Sequence, residues 1–451
     1  MNNKQVEAVR SYLNGRRMLS TDWPFSSELI SYCITNHLVT YKPALTKSSD
    51  GWLCNRCGNK KAAFFYQHYC SKCNSDCTYC RHCIQMGKAS SCVNLYSWNG
   101  SPIHYSPIKS SCKWLGTLSF AQQKAADTLV SISIIPAAIH LIWAVCGAGK
   151  TEILFPVIEK CIQFGKRVAI ATPRTDVVKE LAPRFKAAFP NITQSVLYGG
   201  SRKQAIQAQL VLATTHQLLR YSHTFDLLVV DEVDAFPYSY DSSLKFAVYN
   251  AKKKSGVLVF LSATPSKTLL NEKNLNLTKI PIRFHGKPLP LPRFKWIGNW
   301  QKAINAGKLP SLIFEWLSHY NNEPKMIFLP SIYLLNKLSN LLKNESCVFA
   351  AVHAKAPNRH QSIAAFRNKK LKLLLTTTIL ERGVTVENLQ VAVLGTENPL
   401  FSEACLVQIS GRVGRKLAFP NGDIVFWHNG VTTAMRQTRK HLRNMNKEAG
   451  L

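Results

Sequence analysis

At 451 residues the chain has room for two full domains and a small appended one. Lys and Arg number 57 against 25 Asp and Glu, a formal charge of +32, which argues against a merely soluble surface and for a polyanionic partner, either nucleic acid or anionic lipid headgroups. The 14 cysteines, behind an opening stretch with no apolar core of secretory length, exclude a disulfide framework and predict a cytosolic chain with reduced thiols.

Residues 1–50 mix apolar and polar text around Trp23 and Phe25 and predict an N-terminal helical segment. Residues 51–92 carry eight of the cysteines: Cys54, Cys57, Cys70, Cys73, Cys77, Cys80, Cys83 and Cys92. The spacing C-x-x-C recurs at Cys54/Cys57, Cys70/Cys73, Cys77/Cys80 and Cys80/Cys83. Each such pair can place two thiolates on one side of a tight turn, and two pairs complete a closed, structural Zn²⁺ site. About forty residues bury too little apolar surface to fold alone, so the metal would supply the missing free energy. Spacing leaves open whether Cys54/Cys57 pairs with Cys70/Cys73 or with Cys80/Cys83. Cys33, Cys112, Cys146, Cys161, Cys347 and Cys405 lack partner spacing and read as small hydrophobes or free thiols.

Residues 110–283 alternate apolar runs with helical patterns, and strands are expected at 139–145, 167–172, 209–214, 227–231 and 257–261. This pattern predicts a parallel sheet covered by helices, with active residues at the strands' carboxyl ends. The first of these runs leads into Ala144, Gly147, Gly149, Lys150 and Thr151, a Gly-rich turn before a helix. Such a turn lets bare N–H groups wrap phosphates, with Lys150 on the β/γ-phosphates and the Thr151 hydroxyl on Mg²⁺, so ATP is the expected ligand. Residues 128–149 carry no charge, but Pro136 and the aqueous phosphate turn make them helix, bend and buried strand rather than a membrane span. The run 227–230 ends in Asp231, Glu232, Val233 and Asp234, with Asp231 placed to hold Mg²⁺ and Glu232 to polarise the attacking water. Ser262, Ala263 and Thr264 close the next run.

The proline-rich stretch 281–292 predicts a stiff connector, with the linker set at 284–300. Strands expected at 326–329, 347–352, 372–376, 390–394 and 423–426 then make a second lobe over 301–451. Near its end Arg412 and Arg415 lie three apart among small residues, so both guanidinium forks can reach a phosphate held by another domain. Basic clusters stand at 252–254, 367–372 and 436–447.

The order of these motifs resembles the superfamily-two helicases and translocases, over nearly all of 118–428. That resemblance implies two RecA-like lobes, with Gln122 reading adenine and Gly383 also lining the nucleotide site. It further implies backbone contacts to nucleic acid from Arg174, Gly200 and Thr214 in the first lobe and Thr377 and Thr378 in the second. Asp-Glu-Val-Asp in place of Asp-Glu-Ala-Asp, and Gln408-Ile409 opening the arginine box, favour a DNA motor over an RNA one.

The segments 143–152, 171–184, 198–201, 214–221, 231–239 and 376–386 are together similar to the ComFA family of late competence proteins. So are 54–58 and 79–87, whose flanking residues select Cys54, Cys57, Cys80 and Cys83 as the family's zinc ligands and leave Cys70, Cys73, Cys77 and Cys92 for a second site. The resemblance implies an ATP-dependent motor that draws single-stranded DNA into the cytosol during natural transformation. The membrane import channel and other late competence proteins are then its expected partners, with peripheral membrane contact. A replication-restart-type duplex helicase and a non-motor DNA-stimulated ATPase that scaffolds the channel are the alternatives.

Overall fold

The structure, a computed structural model, describes residues 2–201, 207–343 and 348–451; the expected strand start and thiol at Cys347 lie outside them. Contacts divide the chain into two compact units, one of residues 1–117, 123–142 and 151–278, the other of 118–122, 143–150 and 279–451.

The first unit begins with helices Asn3–Leu13 and Ser27–Thr35, capped by the side chains of Asn2 and Ser26. The opening segment is not helical throughout, because Met18–Leu19 and Val39–Pro43 flank Asn94–Trp98 in an antiparallel three-stranded sheet. Its apolar side chains, among them Val9, Leu13, Met18, Leu29 and Val39, make a small core of their own. Two hairpins follow, Leu45–Ser48 with Gly51–Cys54 and Phe65–Cys70 with Ser75–Cys80.

A seven-stranded sheet forms the larger part of the first lobe. Its order is Gln194–Leu197, Leu210–Thr214, Val168–Thr172, Phe225–Asp231, Lys252–Ser262, Ile139–Ala144 and Leu275–Ile280. The inner strands are buried on both faces, hence their unbroken apolar runs, and they pair in parallel with Val229 opposite Ile170 and Val259. Both outermost strands, Gln194–Leu197 and Leu275–Ile280, escaped the sequence reading. Polar residues interrupt them, Gln194 and Ser195 in the first and Asn276, Thr278 and Lys279 in the second, so they lack the apolar continuity of their neighbours.

The second unit holds a six-stranded sheet, parallel throughout, in the order Arg293–Trp296, Ile424–His428, Gln390–Leu394, Lys325–Phe328, Leu373–Thr376 and Phe349–Val352. Alternation splits its side chains between two cores. Met326, Phe328, Val391 and Val393 pack on one face, and Ile327, Ala392, Leu394 and Trp427 on the other. Residues 287–292 form neither helix nor strand, whereas Arg293–Trp296 is a strand paired with Val425–His428 and Trp300–Asn305 a helix. The second sheet therefore starts inside the stretch expected to be linker. The two RecA-like lobes and the N-terminal four-cysteine module agree with the fold class read from sequence.

Between Phe120–Ile132 and Ile139–Ala144 the chain turns at Pro136. Among the described residues no helix is long and apolar enough to cross a membrane.

Candidate functional site

The strand Ile139–Ala144 delivers the chain into a turn that only glycine makes without strain, with φ of 85° at Gly147 and 73° at Gly149. The helix Lys150–Gln163 starts directly after it, so its unpartnered N–H groups face the same turn. Lys150 Nζ donates to the Ala144 carbonyl (3.3 Å). Gln122, buried at the start of its helix, donates from Nε2 to the Ala148 carbonyl (2.9 Å) and accepts at Oε1 from the Ser119 N–H (2.8 Å). A glutamine so held has its amide locked against the turn. This backbone fits a phosphate chain, and Thr151, next after Lys150, opens the same helix.

Asp231 ends its strand and accepts at Oδ1 from the Glu232 N–H (2.8 Å), while Glu232 takes the left-handed φ of 58°. A left-handed glutamate is uncommon. Asp234, which received no role from the sequence, accepts from Ser262 Oγ (2.7 Å) and from Thr264 Oγ1 (2.9 Å). The acidic box and the Ser-Ala-Thr box are thus one hydrogen-bonded unit, so a shift of either strand end is transmitted to the other.

In the second unit Arg412 is only 1 % exposed; its guanidinium donates to the carbonyls of Glu381 (2.9 Å) and Val384. Arg415 donates to the Gly411 carbonyl (2.8 Å) and to Thr385 Oγ1 (3.2 Å). The two arginines therefore clamp the 376–386 segment, including Gly383 with its φ of 79°. Sequence reasoning missed Arg283, which is buried and donates to the carbonyls of Val413 (2.8 Å) and Gly414 (2.5 Å). Burial lowers its pKa to about 10. A lone arginine in a proline-rich stretch carries no sequence signal of such a role.

The expected nucleic-acid contacts differ in availability. Gly200 is exposed in an open turn, whereas Thr214 is buried at the end of its strand. Arg174 makes a two-pronged ion pair with Asp176 (2.8 and 3.2 Å). Thr377 and Thr378 sit half-buried at the turn that follows Leu373–Thr376.

Cys54, Cys57, Cys80 and Cys83 are all buried, with sulfurs within 4.8 Å of one another. Cys54 and Cys83 lie 3.8 Å apart, as do Cys57 and Cys80. Zn–S bonds of about 2.3 Å in a tetrahedron put sulfurs about 3.8 Å apart, so the thiols fit zinc. Periodicity explains the grouping. Cys77 and Cys80 are three residues apart on one strand and so point to opposite faces, which removes that C-x-x-C as a chelating pair. Arg56 lies buried inside the Cys54–Cys57 turn and donates to Cys83 Sγ from Nε (3.3 Å) and Nη2 (3.0 Å). Hydrogen bonds from the other three cysteines, and the charge of Arg56, lower the pKa of Cys83, while the same sulfur contacts and burial raise those of Cys57 and Cys80. From sequence Arg56 reads only as one of the module's basic residues; its hold on Cys83 is set by the fold.

Comparison with known proteins agrees with this architecture. Residues 2–97 match the model of the competence protein ComFA N-terminal domain, residues 117–267 that of the type III restriction enzyme res subunit, and residues 307–416 that of the helicase conserved C-terminal domain. Competence protein ComFA of Bacillus subtilis is 45% identical, over 99% of this chain and 97% of its own length. Competence protein ComFA of Streptococcus pneumoniae is 35% identical, over 91% and 94%. Among solved structures, S. cerevisiae Dbp5 bound to RNA and ADP BeF3 superposes with a TM-score of 0.55 at 16% identity, covering 73% of this chain and 88% of that one, a likeness of fold. The chain belongs to the ComFA family of competence proteins, with the two domains of a helicase-type ATPase behind its four-cysteine module.

Proposed function

We propose that this protein is a DNA-dependent ATPase that translocates along single-stranded DNA and drives its import into the cytosol during natural competence. The phosphate turn carries the reading, with its two left-handed glycines, Lys150 and the helix N-terminus behind it. Gln122, Ala144, Gly147, Gly149, Lys150, Thr151 and Gly383 hold the nucleotide. Thr151 and Asp231 hold Mg²⁺, which neutralises phosphate charge when bound. Glu232 orients and polarises the attacking water, and Arg412 and Arg415 supply positive charge to the departing γ-phosphate. Such arginines contribute on the order of 10³ or more in rate in other phosphoryl-transfer enzymes.

The expected DNA contacts, Arg174, Gly200 and Thr214 in one lobe and Thr377 and Thr378 in the other, address the backbone and carry no sequence information. To reach a phosphate, Arg174 would exchange its ion pair with Asp176 for one with the DNA backbone. The net charge of +32 supports a polyanion as the track. Cys54, Cys57, Cys80 and Cys83 hold a structural zinc. The import channel, other late competence proteins and the inner membrane face are the proposed surroundings of a cytoplasmic motor.

Displacement of streptavidin from end-biotinylated single strands tests the reading. ATP-dependent displacement from one end supports it. Hydrolysis stimulated by DNA without displacement would leave a non-motor ATPase, and processive opening of blunt duplex would favour the replication-restart type.

A further inference from the structure

We propose a second zinc site, formed by Cys70, Cys73, Cys77 and Cys92 at the tip of the Phe65–Cys80 hairpin, distinct from the buried site and readily exchanging its metal. It goes beyond the proposed motor function and does not depend on it. The four sulfurs lie within 4.8 Å of one another, with Cys70 and Cys92 3.8 Å apart and Cys73 and Cys77 3.2 Å apart. They come from three places in the backbone. Cys70 ends the outgoing strand with Cys73 in the turn just beyond it, Cys77 lies on the return strand, and Cys92 lies in the segment just before Asn94–Trp98.

Four thiols do not converge on one point without a reason. A two-stranded hairpin is marginal in water, and among the described residues the free edge of this one pairs with one short segment. That companion is the segment 89–92, joined by the Ser91 N–H to the Thr78 carbonyl (2.8 Å) and the Cys80 N–H to the Ala89 carbonyl (3.0 Å). Outside these bonds the tip has little apolar cover, since Tyr66 and Tyr69 are exposed. A metal bound to Cys92 and the hairpin thiols would fasten the two pieces together and supply the missing free energy. All-sulfur coordination selects a soft ion, and zinc is the one that needs no redox partner.

The two sites differ in access. All four ligands of the first are buried, whereas Cys73 and Cys92 are exposed and Cys70 half-exposed. A chelator can therefore reach the second metal without opening the core.

The test uses the full chain purified under reductant, with zinc counted by elemental analysis and release followed with a chromophoric chelator. Wild type is expected to carry two zinc ions, released in a fast and a slow phase of equal amplitude. Cys92→Ser and Cys73→Ser should each lose the fast phase and keep one zinc, with ATP turnover within twofold of wild type; Cys73→Ser guards against a folding defect peculiar to the first variant. One zinc per wild-type chain after incubation with excess zinc would overturn the proposal. So would an unchanged metal count in both variants, or a Cys73–Cys77 disulfide in the reduced preparation.

Discussion

Replacing Arg56 by Ala tests how far the buried cysteine site depends on the residue inside its first C-x-x-C turn. The side chain is 2 % exposed, and besides its two bonds to Cys83 Sγ it donates to the carbonyls of Met86 (2.8 Å), Cys83 (2.8 Å) and Gly87 (2.6 Å). Each buried acceptor left without a donor costs about 1–3 kcal/mol. Water entering the space offsets part of the total, which leaves a loss of about 3–5 kcal/mol, the range for breaking a buried charge pair. Loss of the N–H donors to a ligand sulfur should weaken zinc by about 10–100-fold. Arg56→Lys should fall between, because an ammonium is a point charge and cannot span three carbonyls and a sulfur with a planar fork. Competition for zinc with a chelator of known affinity and urea unfolding of the zinc-loaded chain give the two numbers. Zinc affinity within twofold of wild type, together with unchanged unfolding, would refute the assigned role of Arg56.

Lys150→Ala and Glu232→Gln should each reduce ATP turnover at least 100-fold while DNA binding, which rests on spread basic charge, stays within a few-fold; steady-state hydrolysis and filter binding check this. Binding to single strands should fall steeply with salt and show little base preference, and a flat plot of log affinity against log salt would contradict the charge argument. His140, buried beside Thr278 (3.0 Å), has its pKa pushed down to about 4 by burial, below the 6.5 of the unfolded chain. Its neutral form is the folded one, so as pH falls from about 6.5 to about 4 the unfolded chain takes up the proton first and the fold loses up to about 3 kcal/mol; His140→Asn should flatten that part of the stability profile. Cys80→Ser should strip the buried zinc and also lower the unfolding midpoint of the first lobe, which differential scanning calorimetry resolves.

What the sequence disclosed follows from physical continuity. Strands such as Val168–Thr172 and Gln390–Leu394 are covered on both faces, so residues 168–171 and 391–394 are all apolar and the runs stand out. Arg293–Trp296, by contrast, lies at a sheet edge beside prolines, and its exposed Arg293, Lys295 and Trp296 read as connector. The phosphate turn was legible because its chemistry demands contiguous residues of fixed type. Asp234, Arg283 and Arg56 were not, since their partners lie 27 or more residues away (Arg56 to Cys83) or are main-chain carbonyls that leave no trace in residue identity. The cysteine pairing was undecidable by spacing and becomes decidable once Ser75–Cys80 is a strand.

Residues 51–92 read from sequence as a small appended module, but their packing joins them to the first lobe. Cys54, Cys57, Cys80, Cys83 and Met86 belong to the same apolar core as Ala169, Val211, Leu228, Val230 and Phe260 of the first lobe's sheet. Helix Ser242–Ala251 is sandwiched there, for a Cβ on Gly58 would come within 2.6 Å of the Phe246 ring, and His82 Nε2 meets Asp241, the residue that caps that helix, at 3.1 Å. At the other end the Arg17 N–H donates to the Arg220 carbonyl (2.7 Å), Arg16 reaches Tyr221 (3.1 Å), and Arg17 bridges to the Asn55 carbonyl (3.2 Å). Close-packed interiors transmit strain, so losing the metal removes cover from the face of the sheet whose strand ends present Asp231 and Glu232. The module is then a buttress of the ATPase lobe, and the coupling runs both ways: nucleotide bound to that lobe should slow the loss of zinc from Cys54, Cys57, Cys80 and Cys83.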